Sequence, residues 1–313
     1  MKRFVIIDSN ALVHRAYHSI PPLTNKKGEL INVVYGFLLA FFKVVEDLNP
    51  DFIAAAFDLP GPTFRHKKFK EYKKNRAKTP KGLFEQIPKI KEVLRAFNIP
   101  VFEKSGFEAD DIIGTISKKL SDYSRSCLKG DEGSCVESIA FSSDLDLLQL
   151  IDEYTKVYAL RRGLKEIILY DKEAVEERYE IKPKQLIDYK GLRGDPSDNI
   201  PGILGVGEKT AIKLIKKFKT LENLYLKLDK DPSLRKESIH ISPRLLTKIK
   251  ENREEAFFNR SLVKIIRDVP INFNKEECLL KDYDKNLVEK KFEELGLYSL
   301  IIRIRGLPVN KLE

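Results

Sequence analysis

The chain has 313 residues, of which 42% are hydrophobic and 33% charged, and this balance excludes a chain that is disordered throughout. Its formal net charge of +10 favours a polyanionic partner, because Lys and Arg side chains that neutralise phosphates release condensed counterions. Three cysteines without a CxxC pair, and only four histidines, argue against a structural zinc site and against a disulfide-stapled secreted domain.

The first predicted element is the apolar run at residues 4–7, directly after two basic residues. It is too short for the apolar core of a signal peptide, and no run in the chain approaches the about 18 residues of a membrane span. We therefore expect a soluble, cytoplasmic protein that has no membrane partner.

The first 180 residues alternate strand-like runs with helical patterns. The strand-like runs, rich in Val, Ile, Phe and Ala and without polar alternation, are residues 4–7, 52–57, 138–141 and 165–170. Such runs are typical of parallel strands that are covered on both faces. Helical patterns occupy residues 34–48, 83–97 and 109–121. The alternation predicts a doubly wound α/β domain over residues 1–180, with a flexible insert at 122–136.

The pattern changes after residue 181. Short helices separated by Gly- and Pro-marked turns predict a second, all-helical unit over residues 181–262. Residues 263–313 then predict a return segment, a helix near 286–295 and a final apolar run.

Acidic residues are placed where the predicted strands end and where helices begin. These nine residues are Asp8, Asp58, Glu108, Asp110, Asp111, Asp144, Asp146, Asp195 and Asp198. Ligands of open α/β sheets bind at the carboxyl ends of the strands, so we expect these acids to converge there. Each cluster alone could instead cap a helix or complement its dipole.

Nine converging carboxylates would repel one another unless cations neutralised them. An all-oxygen site without paired His or Cys suits Mg²⁺ or Mn²⁺. Two such ions about 4 Å apart would stabilise both the attacking and the leaving oxygen of a phosphoryl displacement. The sequence therefore predicts a site for two Mg²⁺ ions, with Mn²⁺ as a substitute.

A basic segment at residues 64–81 follows directly after Asp58. It holds nine Lys or Arg residues, one Glu and three aromatic residues, and we expect it to hang over the metal site. Charge would hold a nucleic-acid backbone while the rings stack on bases; a solvated basic helix is the alternative. Lys73 and Arg76 are candidate clamps on the scissile phosphate. Further candidate DNA contacts are Arg65, Lys67, Tyr72 and Lys74.

The glycine-rich stretch GILGVGEKTAIKL at 202–214 resembles a phosphate-binding P-loop only superficially. A P-loop requires Gly directly before Lys, whereas Glu208 intervenes here, so nucleotide binding is rejected. A tight turn between two short helices would instead present backbone N–H groups to a duplex phosphate without reading sequence. The candidate DNA contacts in this hairpin are Gly205, Val206, Gly207, Lys209 and Thr210.

In order and spacing, the segments VIIDSNALVHRAY, FDLPGPTFRHKKFKEYKKNR, GFEADDIIG, SSDLDLLQL and LRGDPSDNIPGILGVGEKTA resemble the 5′-nuclease family. This family includes the 5′–3′ exonuclease domain of bacterial DNA polymerase I and the flap endonucleases. The resemblance implies a PIN-like nuclease domain with a helical arch, followed by a helix-hairpin-helix unit. It implies hydrolysis of DNA to a 5′-phosphate and a 3′-hydroxyl, in primer removal during replication and in repair.

The resemblance also assigns roles by motif position. Asp8, Asp58, Glu108, Asp110 and Asp111 would hold the first ion, and the other four acids would hold or support the second. Arg15 matches a basic residue near the active site, and the hairpin matches a place where relatives can hold K⁺. The chain departs from the family in its long insert, whose Cys127 and Cys135 we expect to be free thiols, and in lacking a basic residue at Leu145.

The expected substrates are flaps, nicks and overhangs of duplex DNA, including RNA-primed strands, bound by a monomer. Two other functions stay open, a catalytically silent DNA-junction binder and a PIN-type ribonuclease. All nine motif acids are present, which disfavours the first, and the arch and hairpin favour structured DNA over single-stranded RNA. A free-standing enzyme and the front part of a longer polymerase are both compatible with the sequence.

Overall fold

The computed structural model describes residues 1–76, 80–127, 135–163, 166–230, 241–280, 283–304 and 307. Parts of five predicted segments therefore lie outside the described residues. They are 77–79 of the basic segment, 128–134 of the insert, 165 of the fourth predicted strand, 231–240 of the helical unit, and 281–282, 305–306 and 308–313 of the C-terminal segment.

A six-stranded sheet forms the centre of the first domain. Its strands are β1 (Lys2–Asp8), β2 (Phe52–Ala56), β3 (Val101–Phe102), β4 (Val136–Ser142), β5 (Thr155–Arg162) and β6 (Glu166–Tyr170). Their order is β3-β2-β1-β4-β5-β6, and only the pairing of β5 with β6 is antiparallel. The four predicted strands are confirmed, but β6 is not the parallel strand covered on both faces that was expected, because it is an antiparallel edge strand that is only partly buried. β3 and β5 were not predicted, because β3 has only two residues and β5 begins and ends with polar residues.

The winding of the sheet reverses at β1, which pairs with β2 on one side and β4 on the other. Such a reversal leaves a crevice outside the carboxyl ends of the two strands on either side. Here the two strands are β1 and β4, whose ends carry Asp8 and Ser142, so the topology places Asp8 at the same edge as Asp144 and Asp146, which follow β4.

Fourteen helices are present among the described residues. Six belong to the first domain: α1 (Ser9–Ser19), α2 (Asn32–Leu48), α3 (Phe64–Lys68), α4 (Lys81–Phe84), α5 (Ile87–Ala96) and α6 (Ala109–Cys127). The others are α7 (Lys172–Tyr179), α8 (Leu186–Arg193), α9 (Glu208–Phe218), α10 (Leu221–Lys230), α11 (Pro243–Glu251), α12 (Arg253–Val263), α13 (Lys285–Leu295) and α14 (Tyr298–Ile304). None of the helices in the described ranges is long and apolar enough to cross a bilayer.

Two buried clusters cover the faces of the sheet. Alternate residues of β1 point to opposite faces, so Phe4 and Ile6 join one cluster while Val5 and Ile7 join the other. The first cluster contains the apolar face of α6 and continues into α8 and α9 of the helical unit. The second contains α1, α2, α5 and α13. The helical unit therefore shares a core with the first domain.

The described part of the basic segment is less helical than an arch would be. α3 covers only Phe64–Lys68, and residues 70–75 form turns. Lys73 has a φ of +55°, and its backbone N–H donates to the carbonyl of Asp198 at 2.9 Å. This contact ties the segment to the helical unit.

Candidate active site

The acids that end β1 and β2 also cap helices. Asp8 Oδ1 accepts a hydrogen bond from the N–H of Ala11 at 3.1 Å, so it caps α1. Asp58 Oδ1 accepts from the N–H of Ala109 at 2.6 Å, at the start of α6. Two strand ends and two helix N-termini thus meet at this edge of the sheet. The capping interpretation is confirmed for both residues, and their role in ion binding stays a prediction.

Five of the nine predicted acids line one open cavity of about 880 Å³. These acids are Asp8, Asp58, Glu108, Asp110 and Asp144. The candidate basic residues Arg15, Lys73 and Arg76 line the same cavity, together with His14 and His18 of α1. We call it the acidic pocket. The structure brings together in it five of the predicted carboxylates and the three predicted basic residues.

Burial raises the pKa of the carboxylates in the acidic pocket. It raises the pKa of Asp8 to about 7, although hydrogen bonds from Ser142 and Ala11 oppose the rise. Burial, reinforced by the charges of Asp144 and Asp8, raises the pKa of Asp110 well above its usual value. The pKa of Asp58 is also raised, mainly by burial. Each shift means that the ionised carboxylate lacks sufficient neutralising charge in this arrangement.

A second acidic group lies in an adjoining cavity of about 470 Å³ that is lined by Asp144, Asp146 and Asp195. Lys190 of α8 lies between two of these acids: its Nζ contacts Asp195 Oδ2 at 2.6 Å and also donates to Asp146. Burial raises the pKa of Asp146 to about 7. Burial alone would lower the pKa of Lys190, but Asp146 and Asp195 outweigh it and raise the pKa.

The sequence did not indicate a role for Lys190 at the site. It lies five residues before Asp195, at the C-terminal end of α8, and no pattern of charges marks it among the many lysines of the helical unit. Only the fold brings Asp146 to it from 44 residues away.

The basic segment is directed at the acids. Lys73 Nζ lies 3.0 Å from Glu108 Oε2, and Arg76 Nη2 lies 2.5 Å from Asp198 Oδ1. The hydroxyl of Tyr72 lies 3.1 Å from Glu108 Oε2 and 3.0 Å from Asp198 Oδ2. These contacts join the basic segment to α6 and to the turn that carries Asp198.

Three predicted roles are corrected by burial. Asp111 is completely buried and does not line the acidic pocket. It accepts two hydrogen bonds from Arg65, at 2.7 and 2.8 Å. Arg65 is 3% exposed and also donates to the carbonyls of Leu262 and Lys264. Tyr72 is equally buried, with 3% exposed. Asp111 therefore supports the site from behind instead of lining it, and Arg65 and Tyr72 are not surfaces for DNA.

The other predicted contacts in the basic segment are accessible. Lys67 and Lys74 are exposed, and Lys74 forms an ion pair with Glu71 at 2.9 Å. Arg15 of α1 donates to the carbonyl of Leu160 at 3.1 Å and borders the acidic pocket.

The glycine hairpin lies between α8 and α9. Gly205 has a φ of +95°, which favours glycine, and Gly207 is the N-cap of α9. Val206 is buried, whereas Lys209 is exposed and Thr210 is half-buried. The turn thus presents its backbone and the N-terminus of α9 outward while Val206 anchors it in the core.

The nine acids do not form one cluster. Lys73, Arg76, Lys190 and Arg65 each hold one or two of them, and no three Asp, Glu, His or Cys side chains within the described ranges stand arranged to hold an ion together. Ion binding by these acids stays a prediction.

Two family models match the chain. Residues 3–180 match the model described as 5′–3′ exonuclease, N-terminal resolvase-like domain. Residues 181–286 match the model described as 5′–3′ exonuclease, C-terminal SAM fold. Together the two matches extend over most of the chain.

Curated relatives include both long and short proteins. DNA polymerase I of Bacillus subtilis is 39% identical over 97% of this chain, which corresponds to 32% of that protein. The 5′–3′ exonuclease of Aquifex aeolicus is 34% identical over 96% of this chain and 94% of its own length. The chain thus spans about a third of the length of the polymerases that it matches.

Solved structures share the fold. The phage T5 D15 protein, co-crystallised with metal ions, covers 98% of both chains with a TM-score of 0.65 and 17% identity. The catalytic core of Rad2 in complex with a DNA substrate covers 97% of this chain and 92% of its own, with a TM-score of 0.59 and 16% identity. At these identities the likeness establishes the fold.

Proposed function

The chain belongs to the 5′–3′ exonuclease family, and on this premise we propose that it hydrolyses DNA phosphodiester bonds at free 5′ ends and at flaps. The products would be a 5′-phosphate and a 3′-hydroxyl, as primer removal and repair require. The observation that carries this proposal is the acidic pocket, where buried carboxylates with raised pKa face Lys73 and Arg76.

Divalent ions fit the donors of the acidic pocket. All candidate ligands are carboxylate oxygens, which suit Mg²⁺ or Mn²⁺, and bound cations would supply the charge that Asp8, Asp58 and Asp110 lack. We assign Asp8, Asp58, Glu108 and Asp110 to a first ion, and Asp144, Asp146, Asp195 and Asp198 to a second. Bound there, two ions would promote ionisation of the attacking water and offset charge on the leaving oxygen.

The basic side chains would bind the scissile phosphate. Lys73 and Arg76 are paired with Glu108 and Asp198, so a phosphate that enters the acidic pocket would compete for both cations. Arg15 approaches from α1 on the same cavity. Holding the phosphate against the carboxylates would orient the bond to be cut, which is a large part of catalysis in phosphoryl transfer.

The hairpin would hold the duplex arm. Its exposed backbone at Gly205 and Gly207, with Lys209 and Thr210 at the start of α9, suits a phosphate contact without base reading. We further propose that K⁺ binds at this turn, that RNA-primed 5′ strands are accepted, and that the protein acts as a monomer.

A 5′-labelled flap duplex tests the proposal. We expect Asp144→Asn to lower turnover in Mg²⁺ at least about 100-fold while flap affinity changes less than about threefold, because Asp144 acts on the ions and not on the duplex. Glu177→Gln, exposed on α7, is the matched control and should cleave like the wild type.

Each other outcome is informative. Equal losses of turnover and affinity would contradict the ion-binding role of Asp144. Tight flap binding by the wild type without cleavage in Mg²⁺ or Mn²⁺ would establish the silent binder, and cleavage of RNA but not of DNA flaps would establish the ribonuclease.

A further inference from the structure

A second charged concavity lies away from the acidic pocket, between α6 and the segment that follows α12. It has a volume of about 450 Å³, and its cationic lining residues are Lys118, Arg125, Lys184, Lys264 and Arg267. We call it the rear pocket. Its lining shares no residue with the acidic pocket or with the adjoining cavity of Asp146.

Most of the positive charge in the rear pocket lacks a counterion. The acids on its lining are Asp122, Asp152 and Asp268, and Arg125 pairs with the first two at 2.9 and 3.0 Å. Lys118, Lys184 and Lys264 are exposed and form no ion pair with any residue in the ranges that the structure describes. Three lysines therefore face this concavity with only Asp268 unpaired beside them.

Arg267 adds a partly buried cation to the same concavity. Its side chain is 29% exposed, its Nε donates to the carbonyl of Gly114 at 3.3 Å, and its Nη2 lies 4.0 Å from Asp152. Burial lowers the pKa of Arg267, and the nearby Arg125 adds to this effect, more than Asp152 and Asp122 compensate. A partly desolvated guanidinium with free donors is suited to a tetrahedral oxyanion.

We propose that the rear pocket binds a phosphate group, supplied by the backbone of a duplex arm that extends beyond the glycine hairpin. The three lysines would neutralise the phosphate, and the guanidinium of Arg267 would donate hydrogen bonds to its oxygens. The identity of the polymer rests on the proposed function, whereas the recognition of phosphate rests on the charges of the pocket alone.

The wall of the rear pocket is held in place by Asp111 and Arg65, the buried pair behind the acidic pocket. The N–H of Ile266 donates to Asp111 at 2.8 Å, and the carbonyl of Lys264 accepts from Arg65 at 3.0 Å. The backbone is therefore fixed by buried contacts at Lys264 and at Ile266, the residue before Arg267. This preorganisation lowers the entropic cost of binding an anion.

The experiment compares two variants with equal loss of charge. Lys118→Gln with Lys264→Gln removes two cations from the rear pocket, and Lys285→Gln with Lys290→Gln removes two from α13 in the other layer of the fold. Fluorescence anisotropy in Ca²⁺ would give the dissociation constants at several salt concentrations. The substrates are flaps with duplex arms of about 10 and about 30 base pairs, one and three helical turns.

We expect the rear-pocket variant to lower the salt dependence of binding by about 1.8 in the slope of log K against log salt, on the long arm only. The control variant should keep the wild-type slope on both arms. Because Lys118 and Lys264 are exposed, the thermal unfolding of both variants should match that of the wild type.

Inorganic pyrophosphate tests whether the rear pocket binds a free phosphate compound instead of the backbone of a duplex. Unchanged slopes, together with pyrophosphate that raises the melting temperature of the wild type but not of the rear-pocket variant, would support the pocket with a free phosphate compound as its ligand. Unchanged slopes and no such difference in melting would overturn the proposal. Cleavage of the short-arm flap by the rear-pocket variant at the wild-type rate would show that the proposed nuclease function stands in either case.

Discussion

At the scale of a single residue, Asp8 has three structural roles. It ends β1, caps α1 and lines the acidic pocket, and its Oδ2 accepts a hydrogen bond from Ser142 at 2.5 Å. Burial nevertheless raises its pKa to about 7, so capping and hydrogen bonding do not offset the loss of water. A bound cation would stabilise the ionised form of Asp8, so the residue suits ion binding.

The raised pKa predicts an unusual pH dependence for the metal-free protein. The folded state holds a proton on Asp8 that the unfolded state, with its pKa near 3.8, releases. Asp8 therefore lowers the free energy of unfolding as pH rises from about 4 to about 7, the opposite of a salt-bridged carboxylate.

We expect Asp8→Asn, which keeps the N-cap, to raise the free energy of unfolding in EDTA by about 2 kcal/mol at about pH 8, and by much less at about pH 4. Urea unfolding at the two pH values checks this. A gain of equal size at both values would show that the effect comes from packing and not from ionisation.

Lys190 occupies the position between Asp146 and Asp195 that we assign to a second divalent ion. We expect Lys190→Met to lower the stability of the metal-free protein by about 3 kcal/mol, because both acids lose their partner. The same variant should bind Mn²⁺ at least about tenfold more tightly, because the ion no longer competes with an ammonium group.

Titration with Mn²⁺, monitored by calorimetry, measures this competition. Lys190→Arg is the control that keeps the charge. If Lys190→Met binds Mn²⁺ no better than the wild type, Lys190 does not occupy the ion's position.

At the scale of elements, the connection between α8 and α9 depends on the close approach of two backbone segments. Gly194 has a φ of +78°, and a Cβ on Gly202 would lie 1.8 Å from the carbonyl oxygen of Arg193. No side-chain movement relieves a clash between two backbone segments. Gly207 differs, because a Cβ there would meet no atom within 4 Å and its φ of −83° suits any residue.

We therefore expect Gly202→Ala to lower the free energy of unfolding by about 3 kcal/mol or to displace the hairpin. Gly207→Ala should unfold like the wild type, so any loss of duplex affinity would report a phosphate that approaches the turn closely. Thermal unfolding and anisotropy of both variants test this pair. A wild-type melting temperature for Gly202→Ala would contradict the predicted clash.

At the scale of the whole molecule, the C-terminal segment joins the two layers. Ile265 and Val269 belong to the cluster that contains α6, whereas Leu280, Val288 and Phe292 belong to the cluster that contains α2 and α5. Arg65 also donates to the carbonyl of Leu262, 197 residues along the chain. The nuclease domain is thus completed by residues that follow the helical unit.

We expect a chain truncated after residue 262 to lose cooperative unfolding. The truncation would expose the side of α5 on which Phe292 packs, and it would remove the N–H of Ile266 from the buried Asp111. Near-ultraviolet circular dichroism and urea unfolding of the truncated chain measure this loss. A sharp transition with wild-type stability would show that the return segment is dispensable.

Local sequence patterns were sufficient to predict much of the architecture. Uninterrupted apolar runs predicted β1, β2 and β4, since a parallel strand buried on both faces has no polar alternation. The same kind of run predicted β6, but β6 is an antiparallel edge strand that is only partly buried. Acids at the ends of such runs predicted the edge of the sheet where the acidic pocket lies, because the carboxyl ends of parallel strands share one edge. The two-residue β3 could not be found, since so short a strand is defined only by its pairing with β2.

Local pattern and motif order were enough to predict the family, four strands of the sheet and the residue types at the site. Tertiary contacts alone settle which side chains share a cavity and which are buried behind it. The sequence predicted Asp111 as a metal ligand and Arg65 as a DNA contact, whereas the fold pairs the two with each other. The sequence predicted no role for Lys190, which the fold places in contact with Asp146. Burial and ion pairing are set by contacts between residues far apart in the chain, and no local pattern encodes which partner a charge will meet.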